Sequence, residues 1–391
     1  MGLWWRIVAL VALVAGCGDE AAEQAPPLLE AGPAVCGGGP TRPEAVHVPL
    51  VKPLGPSPNA IKTRVGTLWI VQSGDNTVGR YDLATGAWDA DFIDVGNDQN
   101  PYDVEVAGDE VYVANFLGNT VTVADAVSGR VKRTLSHPTL KQPSAVAITQ
   151  RRVYVGNVEL QGPGRFGPGS VAVFDRATGD HLVTLPVAAP NPQYLSVIPS
   201  AAGERIVVVS TGGLRIVDGQ AELTTEGAVE VWREQADPAQ PLRTTLPVPL
   251  DPMQPRRGAL GVPHPTPDGR YWYFASATSA ELFKLDAVTL RWERGPDAPI
   301  RFAPEAPLSL HHAVMLADGA LAISSFNEDA LYLWDTTCDM LLAGPLALGE
   351  SPSRLEGPHG LAVSRAGDGV HLWYITSLSN TLGKVMLSPK D

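Results

Sequence analysis

The sequence predicts an all-β protein in which seven units of four short strands close into a ring, the last unit completed by a strand from the N-terminal side. Three observations predict it. The 391 residues include 39 Gly and 35 Pro, a density of turn-formers that breaks apolar runs too often for helical bundles or coiled coils. The chain also repeats itself: Pro58-Asn59-Ala60-Ile61, Pro101-Tyr102-Asp103-Val104 and Pro143-Ser144-Ala145-Val146 begin units 43 and 42 residues apart, and Pro192-Gln193-Tyr194-Leu195 and Pro358-His359-Gly360-Leu361 share the pattern. Finally, each proline opens the same order of elements, four strands per unit of about 40 residues, which is the signature of a β-propeller blade.

In chain order, the first element is a leader. Arg6 is the only charge ahead of the apolar run Ile7 to Ala15, which suits a signal peptide and is too short to cross ~30 Å of hydrocarbon. The run ends in Val14-Ala15-Gly16-Cys17, which resembles the lipobox of bacterial lipoproteins. The resemblance implies cleavage after residue 16, lipidation of Cys17 and attachment to a membrane; Gly18 in the next position implies the bacterial outer membrane, with its face left open. Several acyl chains would hold the protein there, since each buried CH₂ contributes ~0.8 kcal/mol. Residues 17–44 are acidic and rich in Pro and Gly, the composition of a tether that buries no core. Residues 45–391 form the propeller.

Blades 1 to 3 are the clearest. After the opening strand comes a β-branched or aromatic one (Leu68-Trp69-Ile70-Val71, Val111 to Asn115, Val153 to Asn157), then an alternating strand ending in Asp82, Asp125 or Asp175, a Gly-containing turn, and a fourth strand such as Val131 to Leu135. Asn100-Pro101-Tyr102, Tyr112-Val113-Ala114-Asn115 and Gly118-Asn119-Thr120-Val121-Thr122-Val123 resemble the blade of the YVTN-type repeat family, and the resemblance extends over residues 58 to 391, weakly in blades 4 and 5. It implies a seven-bladed propeller. Blade 4 begins near Pro192, blade 5 near Gly258, blade 6 near His312 and blade 7 near His359. Blade 7 runs out of chain after its third strand, and Ala45 to Val51 supplies the missing one, removing both open edges. This closure sets Cys36 beside Cys338 on the outer rim, and a disulfide between them is expected in an oxidising compartment.

The formal charge of −13, without a Lys/Arg-rich run, excludes a nucleic-acid partner, whose phosphates demand basic residues. Candidate ligand-binding residues lie where the loops open on one end of the channel. The aligned ring is Asn59, Tyr102, Ser144, Gln193, Gly258, His312 and His359, with Asp103 in the following ring and His311 beside His312. The imidazoles of His311, His312 and His359 suit Cu or Zn as a cofactor, although adjacent residues on a strand point to opposite faces. Two enlarged loops, residues 156–169 and 211–227, open on the same end and nominate Arg165, Phe166, Arg215 and Glu222 for a protein or small-molecule partner.

Gly162 to Gly167 spells G-x-G-x-x-G without the strand and helix a dinucleotide needs, and no nucleophile, metalloprotease, redox or P-loop motif is present. No catalytic residue is assigned. The expected function is an envelope-anchored, monomeric binding or scaffolding propeller without cofactor or catalysis. The alternative is a channel-mouth enzyme using His312 and His359, either a lactonase-like hydrolase or a metal/redox protein.

Overall fold

The computed structural model describes residues 44–200, 203–217, 220–302, 310–348, 355–367 and 369–388. Among them, seven antiparallel sheets follow one another around a ring in chain order, a seven-bladed β-propeller. The first blade illustrates the plan. Its strands Pro58–Arg64, Thr67–Gln72, Thr77–Asp82 and Trp88–Asp94 pair in sequence from the axis outward. The leader and most of the tether, with Cys17 and Cys36, lie outside the described residues.

Each blade is covered on both faces, so its second strand has no exposed residue, and Thr67–Gln72 is buried throughout. Strand alternation divides that strand between two cores. Trp69 and Val71 pack with Val104, Val111 and Val113 of blade 2, whereas Leu68 and Ile70 pack with Trp373 and Ile375 of blade 7. Trp272 fills the core between blades 4 and 5 in the same manner. Fourth strands are half solvated, and in Val131–Ser136 only Leu135 is buried.

The ring closes as the sequence predicts. Glu44–Pro53 pairs antiparallel with Thr381–Ser388, from Glu44 opposite Ser388 to Pro53 opposite Thr381. A ring nitrogen of His47 on this strand lies 2.6 Å from the Tyr374 hydroxyl, which in turn donates to the Leu348 carbonyl at 3.0 Å, so one tyrosine ties the closing strand to blade 7 and to the end of blade 6. The recurrent aspartates are turn-formers. Asp82, Asp125, Asp175, Asp286 and Asp335 each accept backbone N–H groups two and three residues on. Asp125 is held down to about 2, first by the Ser128 N–H and then by its hydroxyl.

Candidate functional site

The channel mouth is built by a β-bulge repeated around the ring. In blade 1, Pro58 lies opposite Gln72 and Ala60 opposite Val71, so Asn59 is an extra residue on the inner strand. The same shift falls on Tyr102, Ser144, Gln193 and His311. In blade 7 it falls between Pro358 and Leu361, and in blade 5 between Leu260, bridged to Ser276, and His264, paired with Tyr273. A bulge inserts an extra residue and breaks the sheet's strict alternation at that point.

This corrects the sequence alignment in two blades. Blade 5 enters the ring after Leu260, not at Gly258, and the mouth residue of blade 6 is His311, not His312. The side chain of His311 lies outside the described residues.

His312 instead belongs to the next position, together with Asp103, where side chains face the following blade. Asp103 is 1% exposed; its Oδ1 accepts the Val104 N–H at 2.8 Å, and its Oδ2 reaches blade 3 to accept the Val146 N–H at 2.9 Å. His312 does the equivalent four blades further round the ring, its Nδ1 accepting the Leu361 N–H of blade 7 at 3.1 Å. That bond requires Nδ1 to carry no proton. Both residues therefore act as clamps between neighbouring inner strands. Asn59 donates to Ser73 Oγ at 2.6 Å, and Ser144 donates to the Pro192 carbonyl at 3.2 Å.

His264 is buried two positions further along its strand, its ring 6.5 Å from that of His312 and edge-on to it. Burial alone pushes the His264 imidazole down to about 3. His359 is fully buried. Among the described residues, no group of three or more His, Cys, Asp or Glu side chains is placed to hold a metal ion.

The two enlarged loops are β-hairpins, and they meet. Leu160–Gly162 pairs with Arg165–Phe166 above blade 3, and Leu214–Val217 pairs with Gln220–Leu223 above blade 4. The Leu214 N–H donates to the Gly164 carbonyl at 3.2 Å, and the Leu223 N–H to the Pro255 carbonyl, ahead of blade 5, at 2.6 Å. Gly164 has φ +65, and a Cβ there would stand 1.8 Å from the Leu214 carbonyl oxygen, so the seam requires glycine.

Phe166 joins the layers. It packs on one side with Tyr102, Phe116 and Val158, and on the other with Leu214, Leu223 and Ala259. Tyr102 stacks on Phe116 at 5.3 Å, and Gln193 reaches across from blade 4 to donate to the Tyr102 hydroxyl at 2.9 Å. Thus Tyr102, Gln193 and Phe166 come together under a roof over blades 3 to 5. Arg165 stays exposed above it, and Arg215, itself largely in solvent, pairs with the mostly covered Glu222 at 3.0 Å across its hairpin.

Sequence reasoning missed a second set of clamps. Asn76, Asn119, Asp329 and Asn380 each immediately precede a third strand, each has positive φ, and each accepts a backbone N–H leading into the next blade: Asn100 at 2.8 Å, Gln142 at 2.7 Å, Glu356 and Gly357 at 2.9 and 2.7 Å, and Ser57 at 3.1 Å. Asn and Asp tolerate this left-handed turn better than other residues with a Cβ. Their recurrence at one offset was the available signal. Blades 3 and 4 have Gly169 and Glu226 at that offset, and it is there that the hairpins make the link between blades.

No protein-family model matches the chain, and no curated protein sequence does. Solved structures do resemble it. A streptogramin B lyase aligns with TM-score 0.61 at 12% identity over 90% of this chain and 100% of that one. Virginiamycin B lyase from Staphylococcus aureus gives 0.61 at 11% identity, over 88% and 99%. The hydrazine synthase of Kuenenia stuttgartiensis gives 0.59 at 14%, over 91% and 100%. At such identities the likeness is one of fold.

Proposed function

We propose that this protein is an envelope-anchored binding or scaffolding propeller that presents the roofed end of its ring to a partner and performs no catalysis of its own. The supporting observation is the joined hairpin layer. Four blades turn from second to third strand through a short loop with a clamping Asn or Asp, whereas blades 3 and 4 spend their extra chain on a platform seamed at Gly164 and pinned by Phe166. Asp103 and His312 support the same reading, because acceptor atoms that general acid–base chemistry would use are bonded to backbone N–H groups. The lipid on Cys17 and the outer-membrane location belong to this proposal, with the sequence as their ground.

A photo-crosslinking residue placed at Arg165 in the native envelope is expected to capture a partner. One placed at Val65 or Val288, which are 89% and 76% exposed on the opposite end, is expected to capture none. Gly164→Ala should reduce capture about tenfold by parting the seam. Equal capture from both ends, or none from Arg165, would overturn the proposal. Stoichiometric Cu or Zn uptake by the dialysed protein would transfer support to the channel-mouth enzyme.

The Cys36–Cys338 disulfide is proposed on the same footing. Cys338 lies in the turn after the third strand of blade 6, its N–H donating to Asp335 Oδ1 at 3.2 Å. Denatured, unreduced mature protein is expected to show no reactive thiol, and a titration finding two would exclude the bond.

A further inference from the structure

At the outer edge of the blade 2–blade 3 junction, His137 and His181 stack face to face, with ring centroids 3.6 Å apart and planes within 6°. Neither belongs to the channel mouth. A chain of hydroxyls links the two rings: His181 Nε2 to Thr184 Oγ1 at 2.8 Å, Thr184 Oγ1 to Thr139 Oγ1 at 2.6 Å, and Thr139 Oγ1 to His137 Nδ1 at 2.8 Å.

The protons in this chain can be assigned by counting. Three links need three protons, and the two threonines supply two, so one ring nitrogen must donate. His137 Nδ1 already accepts the Thr139 N–H at 3.3 Å, so the donor is His181 Nε2 and the chain runs from His181 towards His137 with both rings neutral. A proton added at His137 Nδ1 reverses the last link, displaces the Thr139 N–H and sets a positive charge against the second ring.

The surrounding charges do not offset it. On blade 2's fourth strand, Arg133 pairs with Glu110 and Lys132 with Asp109 and Asp125. On blade 3, Asp175 is engaged in its own turn, Asp180 is exposed, and Phe174 meets His181 edge-on. Lys141 of the connector is exposed and cationic. Burial first, and then the charge of His137, hold His181 below the ordinary imidazole range.

The strap lies on the connector that holds the root of the blade 3 hairpin. Glu159 N–H donates to the Lys141 carbonyl at 3.3 Å, and Leu160 N–H to Gln142 Oε1 at 2.7 Å. We propose that the His137–His181 stack is a pH-responsive latch: uptake of one proton by the stacked pair in acid opens the Thr139–Thr184 strap and releases residues 137–142 together with the hairpin root.

Hydrogen exchange on the full chain tests this without knowledge of any partner. After correction for intrinsic rates, protection at residues 137–142 and 158–162 is expected to fall about tenfold between roughly pH 7.5 and pH 5, while the blade 6 strand Ala330–Asp335 keeps its protection. Thr184→Val, which cuts the strap but keeps both rings, should show the low protection already at the higher pH. His137→Phe, which keeps a stacked ring but removes the nitrogen that takes up the proton, should flatten the pH response. Unchanged protection in the wild-type chain, loss that extends equally to Ala330–Asp335, or a full pH response in His137→Phe would each overturn the latch.

Discussion

Asp103→Ala is expected to destabilise the propeller by about 3 kcal/mol, the cost of leaving two buried N–H groups without a charged acceptor. Those groups belong to Val104 and Val146, both fully buried in adjacent blades, so water cannot replace the carboxylate. Asp103→Asn keeps one acceptor oxygen and should cost about 1 kcal/mol. Urea unfolding of the three proteins measures the difference. A catalytic carboxylate would behave otherwise, since its removal would abolish an activity and leave the unfolding midpoint in place; a midpoint unchanged in Asp103→Ala would refute the clamp.

Acid should weaken the fold through His264. Burial sets its folded pKa at about 3, while the unfolded chain binds a proton near 6.5, so between those values the unfolded state carries the extra proton. The stabilisation is complete above about 6.5 and is lost progressively as the pH falls towards 3, at ~1.4 kcal/mol per unit, or about 3 kcal/mol by pH 4. His264→Asn removes the titrating ring. Unfolding followed at several pH values should show the wild-type chain taking up about one proton more than the variant across this window. Parallel pH profiles for the two proteins would show that His264 is not the group responsible.

Part of the site could be read in the sequence. Tyr102, Gln193 and Phe166 were identified by position in the repeat and by loop length, and they do converge beneath the roof. His312 was aligned to the mouth because nothing local reveals that the bulge in blade 6 falls on His311. A single inserted residue exchanges the faces of a strand, and one-residue differences in a repeat alignment carry no energetic signature until the partner strand is present. The clamps formed by Asn76, Asn119, Asp329 and Asn380 were visible as a recurrence, but the backbone N–H groups that donate to them lie 23 to 28 residues away, or across the ring closure at Ser57, and only the fold brings them together.

The sequence by itself determined the number of blades, the order of strands within each and the strand that closes the ring. These follow from contiguous patterns: apolar alternation, turn glycines, and aspartates whose hydrogen bonds reach only two or three residues. Only the tertiary structure decided that Asp103 and His312 clamp neighbouring blades and that two separate loops join into one roof. The physical reason is the range of the interactions. Asp103 meets its partner 43 residues away and Gln193 meets Tyr102 at a separation of 91, distances at which the geometry of the closed ring, and no local preference, chooses the contact.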